Sequence, residues 1–147
     1  MSQKNILVTG GLGYIGSHTL VKLIENGYTP FVIDNLSNSN LDVIEKVKEI
    51  TGKDVFFLQG DIRDVNGKSN LKHIFKHYNI YAVIHFAAYK SVSESTKEPL
   101  KYYDNNVNGT IRLLEIMKEY GVKNLFFHLH ALSMGSQTFI QSQKRLQ

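Results

Sequence analysis

The chain has no cysteine, no tryptophan and only two prolines among its 147 residues. Without thiols it can form neither a disulfide framework nor a thiolate metal site, and it suits a reducing compartment, with the cytoplasm the simplest address. No apolar run approaches the length of a membrane span. The opening Ser2-Gln3-Lys4-Asn5 passes through Ile6-Leu7-Val8 straight into glycines, too short for the core of a signal peptide. No membrane partner is expected. The net charge of +4 and isoelectric point near 9.2 come from scattered Lys and Arg, with no basic run longer than Lys144-Arg145. Aromatic residues do not interleave with those charges, so no nucleic-acid partner is expected either. At this length, and with 42% hydrophobic residues, one soluble globular domain is the default.

What is present begins with a strand that breaks into glycines. Ile6-Leu7-Val8 leads into Thr9-Gly10-Gly11-Leu12-Gly13-Tyr14-Ile15-Gly16, after which a helical pattern opens. In a Gly10-x-x-Gly13-x-x-Gly16 turn the first glycine makes the bend, the second lets backbone approach a pyrophosphate, and the third packs helix on strand. The free N–H groups and positive dipole of the new helix then face the phosphates. Asp34 stands eighteen residues past Gly16, at the end of Phe31-Val32-Ile33. A carboxylate there would accept from ribose hydroxyls and repel a 2′-phosphate, which favours NAD over NADP.

Apolar and polar runs then alternate. A helix is expected over 14–26, a second carrying Val43, Ile44, Val47 and Ile50, a third strand over 54–59, a helix over 71–78 and a fourth strand over 81–86. The segment 66–70 reads as loop. A long helix from Pro99 to about Tyr120 is expected to bury a stripe of Leu100, Tyr103, Val107, Ile111, Leu114 and Met117, and Asn124-Leu125-Phe126-Phe127 starts a fifth strand. The fold class is therefore α/β, a doubly wound parallel sheet. Asn105, Asn106, Asn108 and Gly109 are poor interior helix formers, and their cluster points to a site. His73 and His77 are four apart but lack a third ligand nearby, so they read as solvated and no metal is expected.

Five ordered motifs carry a resemblance covering Asn5 to about Phe127. They are Val8 to Thr19, Asp34 to Ser39, Gly60-Asp61-Ile62, Val83 to Val92, and Tyr102 to Thr110. The sequence resembles the NAD-binding half of the extended short-chain dehydrogenases, specifically the UDP-glucose 4-epimerase (UDP-galactose 4-epimerase) family. The resemblance implies a Rossmann fold, cut short after about the fifth strand, with residues 1–127 as an incomplete NAD-binding domain. It places Tyr14 and Ile15 along the pyrophosphate, and Asp34, Asn35, Leu36, Ser37, Asn38 and Ser39 around the adenosine. Asp61 and Ile62 fall at adenine, Phe86, Ala87, Ala88, Tyr89 and Lys90 near the nicotinamide side, and Asn105 on the cofactor. Ala88 and Tyr89 stand where the family often has glycine and leucine. The implied chemistry is hydride transfer from C4 of a UDP-hexose to NAD, turnover of a 4-keto intermediate, and return of hydride to its other face. Family members are often dimers through helices that include the one ending near Tyr120. Two other readings stay open: a dinucleotide-binding module without chemistry, and another nucleotide-sugar epimerase or dehydratase.

The pattern departs from the family after the fifth strand. The family continues Ser-Ser-Ser-Ala-Thr-Val-Tyr-Gly, whereas this chain reads His128-Leu129-His130-Ala131-Leu132-Ser133-Met134-Gly135. His130 takes the slot of the catalytic serine, and the family's Tyr-x-x-x-Lys base motif is absent, so no catalytic residue is expected in this chain and no epimerase turnover by it alone. Taking the last base of each codon with the first two of the next, Phe127 through Gly135 can be decoded as Ser-Ser-Ser-Cys-Thr-Val-Tyr-Gly. The expectation is that a single nucleotide was lost near the codons for Phe126 to His128, in the gene or in its sequencing, so that 128–147 would be an out-of-frame tail that packs poorly. Such a tail should leave apolar surface uncovered beside the fifth strand. The coding DNA read in the shifted frame should then reach a Tyr-x-x-x-Lys.

Overall fold

The computed structural model describes residues 4–64 and 71–127. The expected loop 66–70 and the tail with His128 and His130 lie outside them. Among the described residues five parallel strands form one sheet in the order β3-β2-β1-β4-β5, with β1 (Asn5–Thr9), β2 (Thr29–Asp34), β3 (Phe56–Gln59), β4 (Ile80–His85) and β5 (Asn124–Phe127). The third strand starts two residues later than its sequence pattern suggested. β1 lies in the middle, and its register pairs Thr9 with Ile33 on one side and with His85 on the other. The ends of β1, β2 and β4 therefore reach one crest together.

Both faces of the sheet are covered, which is why its central strands read as continuous apolar runs. Successive residues point to opposite sides. Leu7, Phe31, Ile33 and Val83 join one core with Leu71, Ile74 and Phe75 of α3 (Leu71–His77) and Leu113, Ile116 and Met117 of a later helix. Ile6, Val8, Val32 and Ala82 join the other, under Leu20 and Ile24 of α1 (Tyr14–Glu25) and Val47 of α2 (Asp42–Thr51). Ile50 of α2, by contrast, is exposed.

The long helix expected from Pro99 to about Tyr120 is present as one continuous run with a π-helical turn inside it, and a separate short helix precedes it. A short α4 (Val92–Lys97) comes first, begun by Ser91, whose Oγ accepts from Glu94 N at 3.3 Å. Glu98 leaves helical geometry at φ −128°, ψ 59°, as the ring of Pro99 requires of the residue before it. Then follow α5 (Pro99–Tyr103), a π-helical turn (Asp104–Asn108) and α6 (Gly109–Glu119). The face they bury differs from the expected stripe. Tyr102, Asn105, Gly109, Leu113, Ile116 and Met117 point inward, while Leu100, Tyr103, Val107, Ile111 and Leu114 are exposed. The chain carries two apolar faces here, and the inward one includes an asparagine and a glycine that hydropathy scores as polar or neutral. Gly109 has a packing reason, since a Cβ there would meet Ile62 Cδ1 at 2.7 Å. At the sheet edge Phe126 and Phe127 of β5 are exposed. Among the described residues no helix is long and apolar enough to cross a membrane.

Candidate functional site

The crest is held together by bonds that prolong the sheet ladder. Gly10 N donates to Ile33 O at 2.8 Å, Phe86 N to Thr9 O at 2.9 Å and Gly60 N to Asp34 O at 3.1 Å. Gly10 sits at φ +66°, and a Cβ on it would lie 2.7 Å from Ala87 N, so only glycine lets the β4 loop come so close. Gly13 caps α1 with backbone alone: no side chain accepts from the helix and no acidic residue lies in its first turn. A Cβ added at Gly13 would make one ordinary contact, with Gly10 O at 3.4 Å, and the residue lines the cleft along this crest. A helix start without a side-chain cap or acid leaves N–H groups that suit an anionic group.

A cleft of about 760 Å³ runs along this crest. All the residues expected to hold a cofactor line it except Gly16 and Leu36. Gly16 lies behind the turn, where a Cβ would strike Gly10 O at 2.6 Å. Leu36, at φ 59°, turns its side chain toward the α1–α2 core and a neighbouring groove. The structure also brings in Ile33, Gly60, Ser91, Glu94, Lys101 and Tyr102, which sequence reasoning did not name as cofactor residues.

Asp34 is buried at the end of β2. Its Oδ2 accepts from Leu12 N at 3.1 Å, and its Oδ1 from Leu36 N at 2.9 Å and Ser39 Oγ at 2.8 Å. Three donors from the glycine turn and the following loop thus fix the carboxylate between them. Asp61, at the end of β3, accepts from Arg63 and from Asn35 Nδ2 at 3.0 Å. The Arg63 hydrogen bonds outweigh burial and hold its carboxyl at about 2, well below the usual carboxylate range, while Asp61 in turn pushes the guanidinium up.

At the far end of the cleft the π turn grips the loop after β4. Asn106 brackets one residue with both ends of its amide: Tyr89 N donates to its Oδ1 at 2.8 Å and its Nδ2 donates to Tyr89 O at 3.0 Å. Buried Asn105 donates to Ala87 O at 3.3 Å and to Asn106 Oδ1 at 2.9 Å. The asparagine cluster that looked wrong for a helix interior is therefore a clamp, and the π turn aims it. Beneath it, Thr110 Oγ1 donates to Asn106 O at 2.7 Å, leaving its oxygen to accept from His85 Nε2 at 3.1 Å. His85 Nδ1 is then the acceptor for Thr9 Oγ1 at 2.6 Å, which assigns the neutral Nε2–H tautomer. Burial pushes His85 down to about 4.

Beyond Lys90, Glu94 accepts from Lys101 Nζ at 2.6 Å and from Tyr102 Oη at 2.8 Å, and both hold its carboxyl below the usual range. Tyr102 Oη also accepts from Ser91 N at 3.1 Å. His73 and His77 lie elsewhere, ring to ring at 4.2 Å on α3. Among the described residues no cluster of three or more His, Cys, Asp or Glu could hold a metal.

Comparison with known proteins gives consistent matches. The family model described as GDP-mannose 4,6 dehydratase matches residues 7–134. A UDP-glucose 4-epimerase of Dictyostelium discoideum is 54% identical over 130 residues, covering 88% of this chain and 37% of its own length. One of Homo sapiens is 48% identical over 146 residues, covering 95% of this chain and 41% of its own. The chain thus spans well under half the length of these relatives. A crystal structure of UDP-glucose-4-epimerase from Stenotrophomonas maltophila with bound NAD and formylated UDP-arabinopyranose superposes with a TM-score of 0.84 at 43% identity, over 95% of this chain and 41% of that one. The enzyme from Bifidobacterium longum in complex with NAD+ and UDP gives 0.83 at 42% identity, over 87% and 37%.

Proposed function

Since the chain belongs to the GDP-mannose 4,6-dehydratase family, in which relatives about half identical to it are UDP-glucose 4-epimerases, we propose that residues 1–127 are the NAD-holding part of such an epimerase. The observation that carries this reading is the pairing of an uncapped α1 N-terminus with buried Asp34 in one cleft. The glycine turn and the start of α1, with Tyr14 and Ile15, hold the diphosphate. Asp34 and the loop 35–39 hold the adenosine ribose, Asp61 and Ile62 the adenine, and Phe86 to Lys90 with Asn105 the nicotinamide side. NAD bound there supplies a hydride acceptor for C4 of a UDP-hexose. This chain's own contribution is to bind and orient: main-chain amides neutralise the diphosphate, and the Asn105–Asn106 clamp fixes the loop against which the nicotinamide rests. No Tyr-x-x-x-Lys occurs in the sequence. The reading therefore joins retained NAD to an absence of sugar turnover by this polypeptide on its own.

Calorimetric titration of the purified chain with NAD and NADP, alongside an epimerase assay, tests it. NAD should bind and NADP should not. Asp34→Ala should weaken NAD by about 10- to 100-fold, the scale of a lost charged acceptor, and should narrow the gap to NADP by removing the repulsion of its 2′-phosphate. Unchanged NAD affinity in that variant would remove Asp34 from the site.

The exposed face of Leu100, Tyr103, Val107, Ile111 and Leu114 fits pairing of two copies through α5 and α6. Val107→Glu should shift sedimentation from dimer to monomer, because it would bury an unpaired charge in an apolar interface. A wild-type chain that sediments as a monomer at all concentrations overturns the dimer.

A further inference from the structure

Arg63 lies outside the lining of the cleft, yet it controls the carboxylate that the adenine wall presents. Asp61 Oδ1 accepts from Arg63 N at 2.9 Å and from Arg63 Nε at 2.9 Å, and Oδ2 accepts from Arg63 Nη2 at 2.7 Å. This is a fork of two guanidinium nitrogens on two carboxylate oxygens, the geometry that fixes a carboxylate's plane as well as its charge. The remaining arm, Nη1, donates to Asp104 Oδ2 at 3.1 Å, and Asp104 Oδ1 accepts from Asn108 Nδ2 at 3.1 Å. Between Asp61 and Arg63, Ile62 seats its side chain against Gly109 at the start of α6. The end of β3 is thereby bolted to the π turn, whose next residues clamp the loop after β4.

We propose that Arg63 is the positioning residue for base selection at this site: it aims the Asp61 carboxylate, and through Asp61 it favours a purine carrying an exocyclic amino group over one carrying a keto oxygen. The inference rests on the reading that the cleft holds a dinucleotide. An ionised carboxylate accepts from an amino group and repels a carbonyl oxygen, so a site that presents one at a fixed angle discriminates between adenine and hypoxanthine. Arg63 holds Asp61 in plane, and Asn35 Nδ2 fills the last acceptor site on Oδ2, the one that the amino group of a seated base takes over. Lysine could supply the charge but not the fork.

The test is a titration of the purified chain, wild type, Arg63→Met and Arg63→Lys, with NAD and with nicotinamide hypoxanthine dinucleotide. Wild type should prefer NAD by about 10-fold or more, the scale of one charge-assisted hydrogen bond gained against one repulsion. Arg63→Met should lose about 10-fold on NAD and little on the hypoxanthine dinucleotide, so that the preference collapses. Arg63→Lys should fall between the two, and it carries the test if the methionine variant does not fold by circular dichroism. Equal loss on both dinucleotides would show a strap that only stabilises the site, and no change on either would show a surface ion pair; each overturns the inference. If wild type binds neither dinucleotide, the functional reading itself fails and this inference falls with it. Normal NAD binding with an unaltered preference in both variants overturns the inference alone.

Discussion

Alanine at Gly16 is expected to abolish NAD binding and to destabilise the fold at the same time. A Cβ there would lie 2.6 Å from Gly10 O, 2.7 Å from Gly11 Cα and 2.7 Å from Gly11 O, all backbone atoms that cannot swing aside. The helix must move off the strand, at a cost of about 3 kcal/mol on the scale of core overpacking. For a domain of this size that lowers the thermal midpoint by roughly 10 °C. The same displacement carries the α1 amides away from the crest, and NAD affinity should fall at least about 100-fold, the scale of two lost charge-assisted hydrogen bonds. Gly13→Ala supplies the contrast. Its Cβ meets only Gly10 O at 3.4 Å, so the melting temperature should hold while the methyl group, standing in the cleft, still blocks the diphosphate. Calorimetric titration and thermal melts followed by circular dichroism separate the two effects. Gly16→Ala with wild-type NAD affinity would mean that the turn does not hold the diphosphate.

Acid is expected to weaken the fold through His85 before it reaches the carboxylates. His85 is buried between Thr9 and Thr110, stacked on Phe127 with ring centroids 5.3 Å apart, and burial pushes its pKa down to about 4 from an ordinary value near 6.5. The unfolded chain therefore binds a proton that the folded chain refuses. The stability this group contributes is complete above about pH 6.5 and disappears as the pH falls from there through about 4. The shift amounts to about 3 kcal/mol in all, at about 1.4 kcal/mol for each unit. Protonation also turns Nδ1 from acceptor to donor and so removes its bond from Thr9. Asp61 acts in the same direction lower down, because its carboxyl is held at about 2, so its contribution is lost between about pH 4 and pH 2. Urea midpoints of wild type and His85→Gln measured between pH 7 and pH 4 check this. The variant should start less stable and show a much flatter decline. Parallel slopes in the two proteins would mean that His85 is not the titrating group.

The glycine turn, the five strands and Asp34 were legible in the sequence because each is set by neighbours within a few residues. Apolar runs bounded by glycine mark strands, and an acid at a strand's end marks the crest wherever the strand lies. The Asp61–Arg63 pair was also within local reach, two positions apart, though its tie to Asp104 was not. The hydrogen bonds that organise the rest of the site join Thr9 to His85, Arg63 to Asp104 and Tyr89 to Asn106, and no local pattern announces them. The asparagine cluster gave a warning without a direction: four poor helix formers close together showed that something there outweighed helix propensity. The inward face of α5 and α6 could not be chosen from periodicity, since the stripe of Leu100, Tyr103, Val107, Ile111 and Leu114 is the more hydrophobic of the two and is the one left exposed.

By itself the sequence determined the class of fold, the position of the glycine turn and the acid beside it, because backbone sterics and hydrophobic period act over short stretches of chain. Tertiary structure alone decided which helix face turns inward, that the asparagines clamp the loop after β4, and that Arg63 holds Asp61 in plane. Those outcomes depend on side chains meeting across the sheet crest, and only the packing of distant segments brings them within hydrogen-bonding distance.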